Sequence, residues 1–388
     1  MHTPFLRFAG FCLLTLAAVT AAAQSPRFEV VAKGLEHPWA VAFMGDGRML
    51  VTERPGRLRV VAANGVLGEP VQGLPSIDAR GQGGLLDVVV DSAFRQNRTL
   101  YFCFSEPAPS GQSAQSAQSG NSTALARARL SDDARRLEAV QVIFRQVPKF
   151  SSSAHFGCRI VEALKNGQPD GTLFLTLGDR FSRMQDAQTL DNHHGKVVRV
   201  GKDGSVPKDN PFANSAGNTP NAKPEIWSYG HRNPQGAALS PDGTLWTHEH
   251  GPQGGDEINQ PQAGKNYGWP VISYGENYGG GKIGEGITSK PGLEQPLHYW
   301  VPSIAPSGMA FVTSDKYGSA WRGNLLIGSL KFQYLNRIVL DGNKVVREEK
   351  LLTDLNQRIR DVRQGPDGLI YVLTDASNGQ LIRLLPNK

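Results

Sequence analysis

Six times along the chain, an apolar run, a tight polar turn and a second apolar run follow one another. A longer polar loop then leads to the next copy. The first copy is PWAVAFMGDGRMLVTE (38–53), and the others occupy 84–106, 155–179, 234–251, 307–331 and 360–377. Their spacing of roughly 50 to 80 residues lies in the range of long repeat arrays. Further hairpins are expected between them, at GRLRVVAANGVL (56–67), GKVVRVGKDGSV (195–206) and LNRIVLDGNKVVREEKLL (335–352). Two strands plus such a hairpin make the four antiparallel strands of one propeller blade. A lone blade cannot bury both faces, whereas six in a ring can. The pattern therefore predicts an all-β fold, a six-bladed β-propeller, with the strand at 28–34 completing the last blade. A series of β-sandwich domains is the alternative, but the unit recurs and no linker divides the chain. Abundant turn formers, 44 Gly and 25 Pro in 388 residues, suit many short strands.

Residues 1–23 read as an export signal: His2 and Arg7, an apolar run over 8–20, then Ala21-Ala22-Ala23. The propeller is accordingly expected over 24–388, in the periplasm, with no stable membrane insertion. Cys12 falls in the signal. Cys103 and Cys158 could pair in an oxidising compartment, but both lie in apolar strand-like runs, which favours buried free thiols. The net charge of +6 is spread along the chain, and no Lys/Arg cluster is interleaved with aromatics, so nucleic acid is not an expected partner. The Ser/Gln-rich stretch 106–122 reads as a flexible surface loop within the second blade.

Ligand sites of a propeller gather at one mouth of the central channel, where strand ends converge. Polar residues at matching ends of the recurrent unit are Gln82, His155, Asp179, Arg232, Asn233, Lys331, Arg358 and Arg360. His155 is the natural general base, and Asp179 could fix its tautomer. Four cations around one pocket repel one another unless an anion sits between them, which points to a polycarboxylate or phosphate ligand. Each also has a plainer reading. A histidine at a strand start can be a satisfied turn residue, and Arg358 and Arg360 can pair with Asp354 and Asp361. The stretch 227–257 joins the Arg232-Asn233 turn to a loop in which Gly251 and Pro252 offer carbonyls to a hard cation. Glu257, with the Tyr267 carbonyl, could hold a second one, and Asp256 reads as loop structure. No Gly-x-Ser-x-Gly elbow and no dinucleotide-binding glycine motif is present.

The ordered motifs GQGGLLDV, HFGCR, LGDR, EIWSYGHRNPQG, HEHGPQGGDEIN, GKNYGWP, IGSLK and QRIRDV resemble those of the soluble periplasmic aldose sugar dehydrogenases that use pyrroloquinoline quinone, the glucose/sorbosone dehydrogenase family. The likeness runs from about residue 37 to the C-terminus. It implies a quinone in the mouth, contacted by Gln82, Arg232, Asn233, Tyr278, Lys331, Arg358 and Arg360, with Ser329 and Leu330 as a backbone-contact stretch. It implies His155 as the base that takes the anomeric proton of an aldose while hydride passes to the quinone, with Arg232 stabilising the charge that develops. It implies Ca²⁺ on Gly251 and Pro252, and a second Ca²⁺ at Glu257 and Tyr267. The implied partners are a sugar, which leaves as a lactone, and an external electron acceptor. The mouth loops 182–194 and 274–286 are expected to set which sugar enters. The chain departs from the family pattern at Cys158. A calcium-dependent propeller lactonase and a non-catalytic binding propeller are the competing readings.

Overall fold

The computed structural model describes residues 26–109, 120–214 and 219–387. The signal assigned to 1–23 and most of the loop 106–122 lie outside them. Six four-stranded antiparallel sheets form the six blades of a β-propeller. In blades 1 to 5 the strands follow chain order from the axis outward. Blade 1 is Pro38–Phe43, Met49–Glu53, Arg57–Val61 and Leu67–Pro70; blade 2 is Leu85–Val90, Thr99–Pro107, Asn121–Leu130 and Leu137–Arg145. Blade 3 is Ile160–Lys165, Gln168–Leu177, Lys196–Gly201 and Ile226–Tyr229; blade 4 is Pro234–Leu239, Leu245–Glu249, Asp256–Asn259 and His298–Trp300. Blade 5 is Pro306–Phe311, Leu325–Ser329, Leu335–Asp341 and Lys344–Leu351. Blade 6 takes Ile359–Gln364, Ile370–Thr374 and Gly379–Leu385 from the C-terminus, and its outer strand, Arg27–Leu35, from the N-terminus.

That last pairing, with Phe28 opposite Leu384, closes the ring as the sequence pattern predicts. Innermost strands of neighbouring blades touch all the way round. Those of blades 1, 2 and 5 are largely buried and read as mostly apolar runs, whereas the outer strand Lys344–Leu351 is mostly exposed and rich in charge. The hairpin at 335–352 forms, turning at Gly342-Asn343 between Asp341 and Lys344. The hairpin expected at 195–206 does not. After Lys196–Gly201 the chain makes a tight turn closed by Gly201 N–H to Ser205 O, and the partner strand is Ile226–Tyr229. Pro207 follows immediately, and proline has no N–H to continue a ladder.

The axis is plugged by buried charge. Arg159 pairs with Asp87 (3.4 Å) and Asp361 (2.9 Å), Arg363 bridges the same two carboxylates, and the Arg159 guanidinium lies 4.1 Å over the Trp39 ring. Five residues from four blades thus close the channel below the mouth.

The cysteines correct an expectation. Cys103 and Cys158 are fully buried, but they are joined in a disulfide, with Cα atoms 5.8 Å apart. They lie 55 residues apart in sequence, and the ring sets the strand Thr99–Pro107 of blade 2 beside the turn that opens blade 3.

Candidate active site

His155 sits in a turn before the first strand of blade 3 and is 4% exposed. Its backbone is left-handed (φ 53°), and it is held from both sides. Its N–H donates to Gln82 Oε1 (2.9 Å), and its carbonyl accepts from Arg180. The following blade strand ends in Leu177-Gly178-Asp179, which packs directly on this turn. A Cβ at Gly178 would collide with the His155 carbonyl, so only glycine fits.

Asp179 is fully buried. One oxygen lies 2.6 Å from His155 Nδ1 and accepts Phe181 N–H (2.8 Å); the other accepts Trp269 Nε1–H (2.8 Å). Because Nδ1 donates to this carboxylate, the lone pair of the neutral ring is on Nε2. Burial lowers the imidazole pKa below its ordinary value, the Asp179 bond and charge oppose that, and Arg232 and Arg180 add to the lowering. His155 is therefore a neutral base at pH 7 with a fixed tautomer. Phe181 stands edge-on to its ring (5.2 Å) and stacks on the exposed Tyr278 (6.3 Å).

Arg232 and Asn233 are buried in the turn before blade 4. Glu249 builds that turn by accepting Arg232 N–H and His231 Nδ1–H (2.9 Å). The Arg232 guanidinium donates to the carbonyls of His250 (3.0 Å) and Gly251 (2.6 Å) and lies 5.2 Å over the Trp269 ring and 5.9 Å over the Tyr278 ring. Asn233 Oδ1 accepts Gly157 N–H (3.2 Å), tying blade 4 to the His155 turn.

Beside these groups is a mouth cavity of about 520 Å³, floored by Trp39, Leu86 and Phe156. Its walls bring together Gln82, Asn233, Leu330, Lys331, Arg358 and Arg360, all picked from the sequence, with Arg54, Gln235, His250 and Asp375, which were not. Ser329 does not face the cavity. It is fully buried, and its hydroxyl donates to Ile304 O (2.8 Å). Arg358 and Arg360 do not pair with Asp354 and Asp361; both reach Asp375 (3.2 and 3.1 Å). Burial alone would raise Asp375, but Arg360, His37 and Arg358 outweigh it and hold the carboxyl well below its usual range. Four cations (Arg54, Lys331, Arg358, Arg360) thus face one permanently ionised carboxylate. The wall keeps a surplus of positive charge suited to a multiply charged anion. A larger hollow, about 850 Å³, lies elsewhere between Pro75, Pro107 and Pro148, and its charges are spent on one another, Glu106 pairing with Arg145 and Lys149.

A narrow recess behind Arg232 collects Gly251, Pro252, Glu257 and Tyr267 with Glu249. Glu249 and Glu257 stand opposite each other on adjacent strands and share the Asn259 amide. Desolvation, then the facing Glu249 charge, push Glu257 up to about 8. Asn259 Oδ1 is buried and finds no donor among the described residues. Two adjacent carboxylates and, beside them, an orphaned amide oxygen are donors of the kind a hard cation takes. Asp256 binds only the loop itself, accepting from Gly251 N–H, Ser303 Oγ–H and the N–H groups of Ile304 and Ala305.

Asp375 was findable, because it ends the second strand of the sixth unit where Asp179 ends that of the third. Trp269 was not, since its partner lies 90 residues away.

The chain matches the family model described as Glucose / Sorbosone dehydrogenase over residues 35–383. It is 46% identical to the aldose sugar dehydrogenase YliI of Escherichia coli K12 over 373 residues, 95% of each chain. Among solved structures it is similar to the soluble aldose sugar dehydrogenase of Escherichia coli in its apo-form, with a TM-score of 0.85 and 45% identity over 93% of this chain and 99% of that one. It is also similar to the PQQ-bound aldose sugar dehydrogenase of Streptomyces coelicolor, with a TM-score of 0.72 and 25% identity over 94% and 99%.

Proposed function

The chain belongs to the glucose/sorbosone dehydrogenase family of oxidoreductases, and on that premise we propose that it oxidises the anomeric C1 hydroxyl of aldose sugars to lactones, using pyrroloquinoline quinone and Ca²⁺. The observation that carries this reading is a neutral, tautomer-fixed His155, bonded to Gln82 and next in chain to Phe156, both of which line a mouth that also holds four cations. When bound, the quinone is the two-electron acceptor for the hydride leaving C1, and Ca²⁺ acts on it as a Lewis acid. Lys331, Arg358 and Arg360 would hold its carboxylates, Gln82, Asn233, Leu330 and Tyr278 would contact it, and the carbonyls of Gly251 and Pro252 would hold the cation beside it. Glu257 and the Tyr267 carbonyl would hold a second Ca²⁺. His155 Nε2 takes the hydroxyl proton from the sugar, and Asp179 stabilises the imidazolium that results. Arg232 offers a preorganised cation where negative charge develops.

Electrons then leave to an external acceptor. Export to the periplasm is part of the proposal. It is supported by the Cys103–Cys158 disulfide, because such bonds persist in oxidising compartments. No helix among the described residues is long and apolar enough to cross a membrane.

The test is reconstitution of the protein with quinone and Ca²⁺, followed by aldose-dependent reduction of an artificial dye. Absence of turnover on every aldose, in a preparation whose absorbance shows bound quinone, would reject the reading. A smaller effect is expected at Lys331, which is exposed and pairs with no carboxylate among the described residues. Lys331→Ala should weaken quinone binding by about tenfold to a hundredfold, the value of one charge-assisted contact, and leave the melting temperature unchanged. An absorbance titration measures it.

A further inference from the structure

The disulfide ends in the same turn that carries the base. His155, Gly157 and Cys158 all have left-handed backbones, at φ 53°, 65° and 84°. Glycine takes such angles freely; histidine and cysteine do not, and 84° lies beyond the usual left-handed region for a residue with a side chain. Residues of this kind persist only where their surroundings over-determine them.

Hydrogen bonds hold the turn backbone from His155 through to Arg159, whose N–H reaches the Thr176 hydroxyl (2.9 Å). Gln82 and Arg180 hold His155, the Thr123 hydroxyl donates to the Phe156 carbonyl (2.7 Å), and Asn233 receives Gly157 N–H. At Cys158 the backbone N–H reaches Thr176 O (2.6 Å), while its side chain is fixed by the covalent bond to Cys103. Cys103 is fully buried in the second strand of blade 2, paired opposite Leu125 in the ladder. One end of the bond is therefore the base's own turn, and the other is a rigid strand of the neighbouring blade.

We propose that the Cys103–Cys158 disulfide is a positioning device for His155. It holds residue 158 at an angle that an unlinked side-chain residue would leave, and so keeps the imidazole in register with Asp179. The inference rests on His155 being the base of the proposed reaction. It differs from the ordinary role of a disulfide, which stabilises by restricting the unfolded chain.

Two double variants separate the roles. Cys103→Ala with Cys158→Ala removes the bond and leaves a Cβ at φ 84°; Cys103→Ala with Cys158→Gly removes the bond and the strain together. Both should melt about 5 °C lower. The alanine pair should lose roughly tenfold to a hundredfold in kcat with KM little changed, the scale of a misplaced catalytic group. The glycine pair should recover to within about threefold of the parent chain.

A second readout needs no cofactor. In ¹⁵N-histidine spectra of the apo-protein, the downfield Nδ1 proton of His155, assigned by its loss in His155→Gln, should vanish in the alanine pair and return in the glycine pair. If the alanine pair does not fold, Cys103→Ala alone takes its place. Equal losses in both variants, or loss in neither, overturn the inference. If the parent chain turns over no aldose but the spectra follow this pattern, the proposed reaction fails and the positioning role stands.

Discussion

Replacing His155 with alanine is expected to lower kcat for aldose oxidation by about 10²- to 10⁴-fold, the usual contribution of a positioned base, while quinone binding stays within about threefold. The second half follows from where the contacts lie. The side chain of His155 touches Asp179 and Phe181, whereas the cations of the mouth belong to Arg54, Lys331, Arg358 and Arg360. The pH profile tests the same assignment. Burial lowers the His155 pKa below the ordinary 6.5, so the neutral base predominates at pH 6.5. Activity should rise through a midpoint below that value and be flat in this group above it. In Asp179→Asn the carboxylate that raises this pKa is gone, so the midpoint should move lower still. The amide can also accept from Nδ1 less strongly, and the plateau should drop with it. A rising limb centred above pH 7, or a His155→Ala variant with parental kcat, would remove His155 from the role of base.

The recurrent unit was legible because propeller blades repeat one local problem, and strands buried on both faces repeat one solution. The same periodicity placed His155, Asp179, Arg232, Lys331 and Arg360 at equivalent strand ends, which is why they converge. What escaped depends on contacts between segments distant in sequence. Cys103 and Cys158 are adjacent only because blades 2 and 3 are neighbours, and no local pattern distinguishes a buried thiol from half a disulfide. Glu249 sat inside a quoted motif, but its task of holding Arg232 N–H and the His231 ring emerges only when the strand Leu245–Glu249 lies beside the Arg232 turn. The failed hairpin at 195–206 has a local cause. An alternating pattern and a Gly turn predict two arms, and a single proline after the turn denies the second one its ladder.

Removing calcium is expected to destabilise the protein more as pH rises, and Glu257→Gln should abolish that dependence. Glu257 lies in its recess against Glu249, with a folded pKa raised from 4.5 to about 8. A carboxyl with a raised folded pKa contributes stability in full below its unfolded value and loses it as pH climbs to the folded one. The calcium-free protein should therefore weaken between about pH 4.5 and 8 as the proton that separates the two carboxylates is removed. A divalent cation can occupy the place of that proton. The increment in melting temperature on adding calcium should thus be small near pH 5 and grow towards pH 8, reaching about 3–4 °C when calcium is a hundredfold above its dissociation constant. In Glu257→Gln no charge faces Glu249, so the calcium-free variant should lack the loss of stability that Glu257 brings between about pH 4.5 and 8, and melt at or above the calcium-free parent at pH 8. The calcium increment should fall to near zero. Thermal melts with chelator and with calcium at pH 5, 6.5 and 8 decide it. Parallel curves across pH, or a glutamine variant that keeps the increment, would place the cation elsewhere. The recess also borders Gly251 and Arg232, so loss of the cation should loosen the loop that positions Arg232 at the mouth. Calcium-free protein, and Glu257→Gln with it, should then bind quinone more weakly at pH 8, where the parent chain holds the cation.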